Sequence, residues 1–302
     1  MTTEINHFID LHIHSNCSDG AFSAKELVEQ ANALGLQTIA IADHDSVAGV
    51  VAGLASAAQM GIELLPAVEL SVQFETWSDV HLLGYGIDFS DAEFGDKLSC
   101  FRERRETRNA EILARINEAL SLEGRCRIEP EEVLCYARDV MGRPHIARAL
   151  LERGYVKSVE DAFRRYLVPC NVHKFYWPID EAISEIRRLG GVSVLAHPTS
   201  ISSDRQELRR IIAHLAERGL DGVEVFNNMA QESEMEFLRR RTLEAGLLIT
   251  GGSDYHGIED GLEMGRGRGG IRFSSNLLIP LKQLLAERQP CRTQEGCHTQ
   301  AF

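Results

Sequence analysis

Residues 8–20 read FIDLHIHSNCSDG. An apolar run, Phe8-Ile9-Asp10-Leu11, leads into His12-Ile13-His14 and then a polar loop that reaches Asp19 before a glycine. Successive strand side chains alternate faces, so His12 and His14 point the same way. Two imidazoles on one face can share a metal ion, and Asp19 can curl back from the loop to a neighbouring position. Taken alone, an H-x-H pair is more often an ordinary pair of surface or core histidines. The rest of the chain has to decide.

Outward from this stretch the sequence reads as strand and helix in turn. SAKELVEQANALG is an amphipathic helix with Ser23 as N-cap, Glu26 three residues on and Gly35 as its stop. LQTIAIADHDS is a second strand running into a polar loop, VAGVVAGLASAAQMG a small-residue helix, and IELLPAVELSV and VHLLGYGID two more strands. From about Phe94 to Cys170 no strand pattern is visible and charged helical stretches take over. Strand and helix alternation then returns through VSVLAHP, LDGVEVFN and LLITGGSDYHG. Such alternation predicts βαβ units and a largely parallel sheet, open or closed into a barrel. The expected organisation is an α/β domain made of residues 1–93 and 171–288, interrupted by a helical insertion over 94–170. A tail, 289–302, has no apolar period and is expected to be flexible.

Composition narrows the function. The 302 residues carry 44% hydrophobic and 25% charged residues, ordinary for a globular enzyme. A net charge of −13 argues against duplex DNA or broad nucleic-acid binding, which needs a positive surface. It leaves room for a small anionic substrate held by bound cations and a few arginines. Seven cysteines without C-x-x-C spacing suit a reducing compartment. No run approaches a membrane span and no signal pattern opens the chain, so the cytoplasm is the expected location and no membrane partner is expected.

The remaining chemistry-bearing residues fall at strand ends. His44 follows TIAIAD, Glu69 ends LLPAVE, His197 ends VSVLAH, and Asp254 and His256 follow LLITGGS. His81 opens HLLGYG, at a strand start, which suits a strand running antiparallel to its neighbours. With His12, His14 and Asp19 this makes a set of imidazole and carboxylate ligands that includes six of the eleven histidines. Sites of parallel α/β folds lie at the carboxyl ends of the strands. The set is too large for one ion and suits two or three divalent cations such as Mn²⁺, Fe²⁺ or Zn²⁺, with Glu69 bridging two. Paired ions of this kind promote in-line displacement at phosphorus.

Together, DLHIHSNCSDG, IADHDS, PAVELS, HLLGYG, VLAHP and GGSDYHG resemble the polymerase-and-histidinol-phosphatase (PHP) family of metal-dependent phosphoesterases, from about Ile9 to His256. The resemblance implies a distorted (β/α)7 barrel and a metal-bridging hydroxide as nucleophile. It implies that His12, His14, Glu69 and Asp254 hold one metal, that Glu69 bridges to a second completed by His81 and His197, and that Asp19, His44 and His256 hold a third. Glu69, Asp254 and His256 are then the expected catalytic groups.

The helical insertion resembles that of members removing the 3′-phosphate of nucleoside 3′,5′-bisphosphates, some of which also trim short 5′-phosphorylated RNA. RERRETR and GRPH match its phosphate-binding stretches, giving Arg105, Arg108, Arg143 and His145, with Lys174 from NVHKFYWP and with Asp19 and His44 also facing substrate. Arg102, Arg104, Arg105 and Arg108 alternate with acids, as solvated helix faces do. The resemblance favours a phosphate clamp instead. Trp177 reads as a core anchor. The stretch GLEMGRGRGGIRF has no counterpart in the resemblance. Another phosphomonoesterase such as one acting on histidinol phosphate, a metal-dependent amide hydrolase and a non-catalytic nucleotide-binding module are the alternatives.

Overall fold

The structure, a computed structural model, describes residues 7–137, 141–258 and 261–288. The tail expected over 289–302 lies outside them. β1 (Phe8–Ile13) leads through a polar turn into α1 (Ala24–Ala33), whose start is fixed by a reciprocal capping box. The Glu26 N–H donates to the Ser23 hydroxyl and the Ser23 N–H donates to the Glu26 carboxylate, satisfying two amides that a helix start leaves orphaned. Gly35, at φ +70°, follows the end of that helix.

β2 (Leu36–Ile41), α2 (Ala48–Met60) and the short β3 (Glu63–Leu64) complete a first layered unit. β4 (Ala67–Phe74) and β5 (Trp77–Tyr85) follow as an antiparallel pair with Ser71 opposite His81. Four helices come next: α3 (Ala92–Leu122), α4 (Pro130–Ala137), α5 (Arg143–Glu152) and α6 (Val159–Ala162). The last runs into a π-helical turn over Phe163–Leu167. The chain then alternates again through β6 (Trp177–Pro178), α7 (Ile179–Arg188), β7 (Val192–Leu195), α8 (Arg205–Glu217), β8 (Gly222–Phe226), α9 (Glu232–Glu244) and β9 (Leu248–Gly251), and closes with β10 (Phe273–Ser274) and α10 (Leu278–Arg288). No described helix is long and apolar enough to cross a membrane.

The strands make two sheets, ordered β10-β1-β2-β3 and β6-β4-β5-β7-β8-β9. β5 runs against both neighbours, the direction expected for the strand carrying His81. Single parallel bridges, Ile13 with Tyr255 and His44 with Glu69, link one sheet to the other. Among the described residues the ladders are thus not one continuous closed ring. The local reason is visible beside the bridges, where Asp45 and Asp254 take φ of +50° and +53° and so leave the extended conformation a ladder requires.

Alternation along the strands sorts the core. Val68, Leu70, Leu82, Leu195, Val223 and Val225 pack with Ile183 and Ile186 of α7, Ile211 of α8 and Leu238 of α9. Leu11, Ala67, Leu83, Tyr85, Val194 and Phe273, drawn from both sheets, form another cluster. Burial at about 25 cal/mol per Å² of apolar surface makes such clusters the main stabilising term. α3 divides its loyalties: Phe94 and Leu98 join the first cluster, whereas Ile112, Ile116 and Leu120 pack with Ile146, Leu150, Tyr166 and Leu167.

Candidate metal centre

All nine strand-end residues converge. Glu69, fully buried on β4, stands at their middle. Its Oε2 lies 2.9 Å from His44 Nδ1, 3.3 Å from His14 Nε2 and 3.4 Å from His12 Nε2. Its Oε1 lies 3.1 Å from both His81 Nδ1 and His197 Nε2. Asp254 Oδ1 is 3.0 Å from His14 Nε2 and 3.4 Å from His12 Nε2. Asp19 Oδ1 is 3.4 Å from His256 Nε2, and Asp19 Oδ2 is 3.8 Å from His44 Nε2.

Three groups of ligand atoms are compact enough to hold a cation: His12, His14, Glu69 and Asp254; His14, Asp19, His44 and His256; and His44, Glu69 and His81. The first matches one implied set in full. In the second, His14 joins the three residues expected there. In the third, His44 stands beside Glu69 and His81, while His197 approaches the other two from 3.1 and 3.4 Å.

The protonation states divide: burial would lower His12 and His197, but Glu224, Glu69 and Asp254 raise His12 and Glu69 and Asp254 raise His197, so a bound cation there would displace a proton. Burial, reinforced by the neighbouring His256, lowers His14 to about 3, and burial lowers His81 to about 4 despite Glu69 beside it, so both rings are neutral at pH 7. Burial alone would raise the Glu69 carboxyl, but His44, His81 and His12 hold it well below the usual carboxylate range. Asp19 and Asp254 stay ionised in the same way, Asp19 through His44 and Arg105 and Asp254 through His12 and a hydrogen bond from His14.

A cation fits this arrangement. His14 Nδ1, Asp19 Oδ1, His44 Nδ1, Glu69 Oε2 and His81 Nε2 are buried and make no hydrogen bond. His12 Nε2 and His14 Nε2 face each other at 3.1 Å. Buried carboxylate oxygens and ring nitrogens left without hydrogen-bond partners cost free energy that a cation among them would recover. An all-nitrogen-and-oxygen donor set is that of Mn²⁺, Fe²⁺ or Zn²⁺.

Backbone and supporting side chains hold the ligands in place. His197 and Asp254 both have positive φ, +25° and +53°, costly for non-glycine residues and typical of sites that surrounding structure over-determines. Gly252 lets β9 approach β1 closely, since a Cβ there would lie 2.3 Å from His12 Cβ. Three buried carboxylates escaped the sequence reading. Asp10 accepts from the amides of His12, Ser253 and Gly265 and from the Ser253 hydroxyl. Asp43 accepts from the Ser15 amide and the hydroxyls of Ser15 and Ser18. Glu224 meets the His12 ring and the His197 amide. The available signal was an acid inside an apolar strand, as in FIDLHI and GVEVF.

A cavity of about 380 Å³ opens over the cluster. Asp19, His44, His81, His197, Asp254 and His256 line one side, and Arg105, Arg108, Arg143 and Lys174 also line it. Arg105 donates to Asp19 Oδ2 at 2.8 Å. Arg108 spends much of its fork on the Val172 carbonyl and the Asn171 side chain. Pro144, Phe163 and Met229 give the cavity an apolar wall. His145 is not among the lining residues; it is buried, and its Nδ1 accepts from the Gly142 amide at the start of α5. Trp177 stacks on Phe101 and is 5% exposed, the core anchor expected of it. A larger depression of about 690 Å³, beside Arg188 and Arg288, contains none of the nine residues.

A family model described as the PHP domain matches residues 10–176. The chain is 32% identical over 256 residues to the 3′,5′-nucleoside bisphosphate phosphatase of Chromobacterium violaceum, covering 84% of this chain and 88% of that protein. It is 31% identical over 265 residues to the 5′-3′ exoribonuclease Rnm of Escherichia coli, with 85% and 88% covered. Among solved structures, a Bifidobacterium adolescentis protein described as a metal-dependent phosphoesterase superposes with a TM-score of 0.77 at 29% identity, covering 92% of this chain and 96% of that one. The histidine and carboxylate cluster, which could hold metal ions, and these likenesses agree: the chain belongs to the PHP family of metal-dependent phosphoesterases, hydrolases of phosphoester bonds.

Proposed function

We propose that this enzyme removes the 3′-phosphate of nucleoside 3′,5′-bisphosphates, giving 5′-AMP from adenosine 3′,5′-bisphosphate, and that short 5′-phosphorylated RNA is a further substrate. One observation carries the reading: cationic side chains from the helical stretch share a single cavity with the ligand cluster. A substrate with one phosphate needs no such second set of charges. The likeness to the Chromobacterium violaceum phosphatase supports the bisphosphate, and the likeness to the Escherichia coli exoribonuclease supports the RNA.

In this reading the nine residues are the metal ligands, with Glu69, Asp254 and His256 next to the reacting phosphate. Divalent ions, Mn²⁺ foremost, supply Lewis acidity toward the phosphoryl oxygens and lower the pKa of water. Arg105, Arg143 and Lys174 bind the phosphate that stays, Arg105 through donors not used on Asp19. Arg108 lines the same cavity with its fork tied to Val172 and Asn171, and His145 acts from behind through the Gly142 amide at the start of α5. Phe163, Pro144 and Met229 offer the base an apolar surface.

Residues 94–170 are accordingly a substrate-binding insertion in one α/β domain, and the two sheets are the halves of a distorted (β/α)7 barrel joined at the bridges of Ile13 and Glu69. Cysteines without C-x-x-C spacing suit a reducing compartment, and the cytoplasm is the proposed location.

Phosphate release from adenosine 3′,5′-bisphosphate by Mn²⁺-loaded protein, with the product identified, tests the reading. Formation of 5′-AMP is expected. A 3′-AMP product, or no release from protein shown to hold its metals, rejects it.

A further inference from the structure

Glu224 lies in the middle of β8, fully buried, on the face opposite Val223 and Val225. Its two oxygens serve two different ligands. Oε1 is 2.9 Å from His12 Nδ1, and Oε2 accepts from the His197 backbone amide at 2.9 Å. These contacts reach opposite sides of Glu69: His12 Nε2 faces Glu69 Oε2 at 3.4 Å, and His197 Nε2 faces Glu69 Oε1 at 3.1 Å.

We propose that Glu224 is a positioning residue that fixes the His12 tautomer and the His197 backbone, so that the metal positions on both sides of Glu69 depend on one buried carboxylate. The argument rests on the metal-holding role of the cluster and not on the nucleotide assignment.

A neutral imidazole carries one proton. A carboxylate at Nδ1 holds that proton there, which leaves the Nε2 lone pair directed at His14, Glu69 and Asp254. Carboxylates in this relation to ligating histidines orient the ring and raise its basicity. At His197 the same carboxylate secures the amide of a residue whose φ is +25°, a conformation that persists only when held. Ser200 Oγ lies 2.9 Å from His197 Nδ1, so the ring is fixed from its other edge and Nε2 again faces inward.

Glu224→Gln separates this role from simple packing. The glutamine keeps the volume but has one acceptor and one donor group. If its carbonyl accepts from the His197 amide, its NH₂ faces His12 Nδ1, and the ring proton must move to Nε2, where it blocks ligation. The reverse orientation sets NH₂ against the His197 N–H. Either way one ligand is lost.

The test compares wild type and Glu224→Gln, first stripped by chelation and then titrated with Mn²⁺, reading bound metal by elemental analysis and the thermal midpoint with and without metal. We expect apo midpoints that agree, metal affinity 10–100-fold weaker in the variant and loss of most of the metal-induced rise. Wild-type affinity and stoichiometry in the variant would overturn the proposal. So would a lowered apo midpoint with metal binding intact, which marks a structural role only. Should the variant fail to fold, the wild-type protein loaded with diamagnetic Zn²⁺ decides by nitrogen NMR. A proton on His12 Nδ1 with Nε2 ligated is expected, and ligation through Nδ1 refutes the assignment. Phosphate release is not needed for any of these readouts, so a wrong substrate cannot be mistaken for a wrong Glu224.

Discussion

Arg105 Nη2 donates to Asp19 Oδ2 at 2.8 Å, tying α3 to a loop carboxylate 86 positions earlier in the chain. The contact puts a fixed positive charge at the edge of the ligand cluster, on the cavity side. Arginine offers five donors in a planar fork, so the bond to Asp19 leaves others for a phosphate.

If Arg105 binds the phosphate that is not cleaved, Arg105→Ala loses a charge-assisted hydrogen bond of about 1.5–3 kcal/mol, or roughly 10–100-fold in kcat/KM for adenosine 3′,5′-bisphosphate. Hydrolysis of a substrate with one phosphate should fall much less. Equal losses on both substrates, with less metal bound, would mean that Arg105 acts only by holding Asp19. Steady-state kinetics on the two substrates, beside metal analysis, separate the cases.

Stripping the metals should abolish activity and destabilise the fold together. Glu69, Asp19 and Asp254 are ionised among the same histidines, and His14 and His81 are neutral, so the proton favoured on His12 offsets only part of the missing cation charge. Restoring Mn²⁺ at about 100 times its dissociation constant should stabilise by about 2.7 kcal/mol per site. Scanning calorimetry of chelated and reloaded protein would show the midpoint rising with metal concentration. A midpoint indifferent to metal would mean that the cluster does not bind ions tightly. His14→Ala should blunt the response, since His14, like His44 and Glu69, belongs to two of the three groups.

What could be read in advance follows the chemistry of the residues. His12, His44, His81, His197 and His256 were legible because imidazoles gathered at strand ends are hard to explain by packing. Ser23 and Glu26 announced the α1 start because a capping box is a local motif, complete within four residues. Asp10, Asp43 and Glu224 were hidden, because a lone acid in an apolar strand does not reveal which distant amide it satisfies. His145 shows a related limit. The GRPH stretch resembles a phosphate-binding one, and nothing in it announces that the ring accepts from the Gly142 amide three residues back. The link between the two sheets was also out of reach, since it depends on single bridges at Ile13 and Glu69 and on positive φ at Asp45 and Asp254.

Asp10 should matter to stability without touching a metal. Its carboxylate is fully buried and accepts four hydrogen bonds, which counter part of the burial that raises it to about 6. Asp10→Ala strands the His12, Ser253 and Gly265 amides in a dry interior. At roughly 1–3 kcal/mol for each buried donor left unpaired, the loss should exceed about 3 kcal/mol in urea denaturation. Asp10→Asn keeps an acceptor and should cost less. A loss under about 1 kcal/mol for the alanine variant would mean that water reaches these amides.

Gly252 makes the sharpest steric prediction. An added Cβ would meet His12 Cβ at 2.3 Å and His12 N at 2.6 Å, and the backbone of β1 cannot swing aside as a flexible side chain could. Gly252→Ala must therefore push β9 from β1, moving His12 relative to Asp254. Overpacking of this kind costs about 1–3 kcal/mol, but displaced ligands should cost more in metal occupancy than in folding. Gly95→Ala is the control: it lies within α3 with nothing within 4 Å of the new Cβ, and should stabilise by about 0.5–1 kcal/mol. Urea melts on the two variants should move in opposite directions, and metal content should fall only in Gly252→Ala. Full metal content in Gly252→Ala would show that the strand ends tolerate a displacement that the close packing around His12 says they cannot.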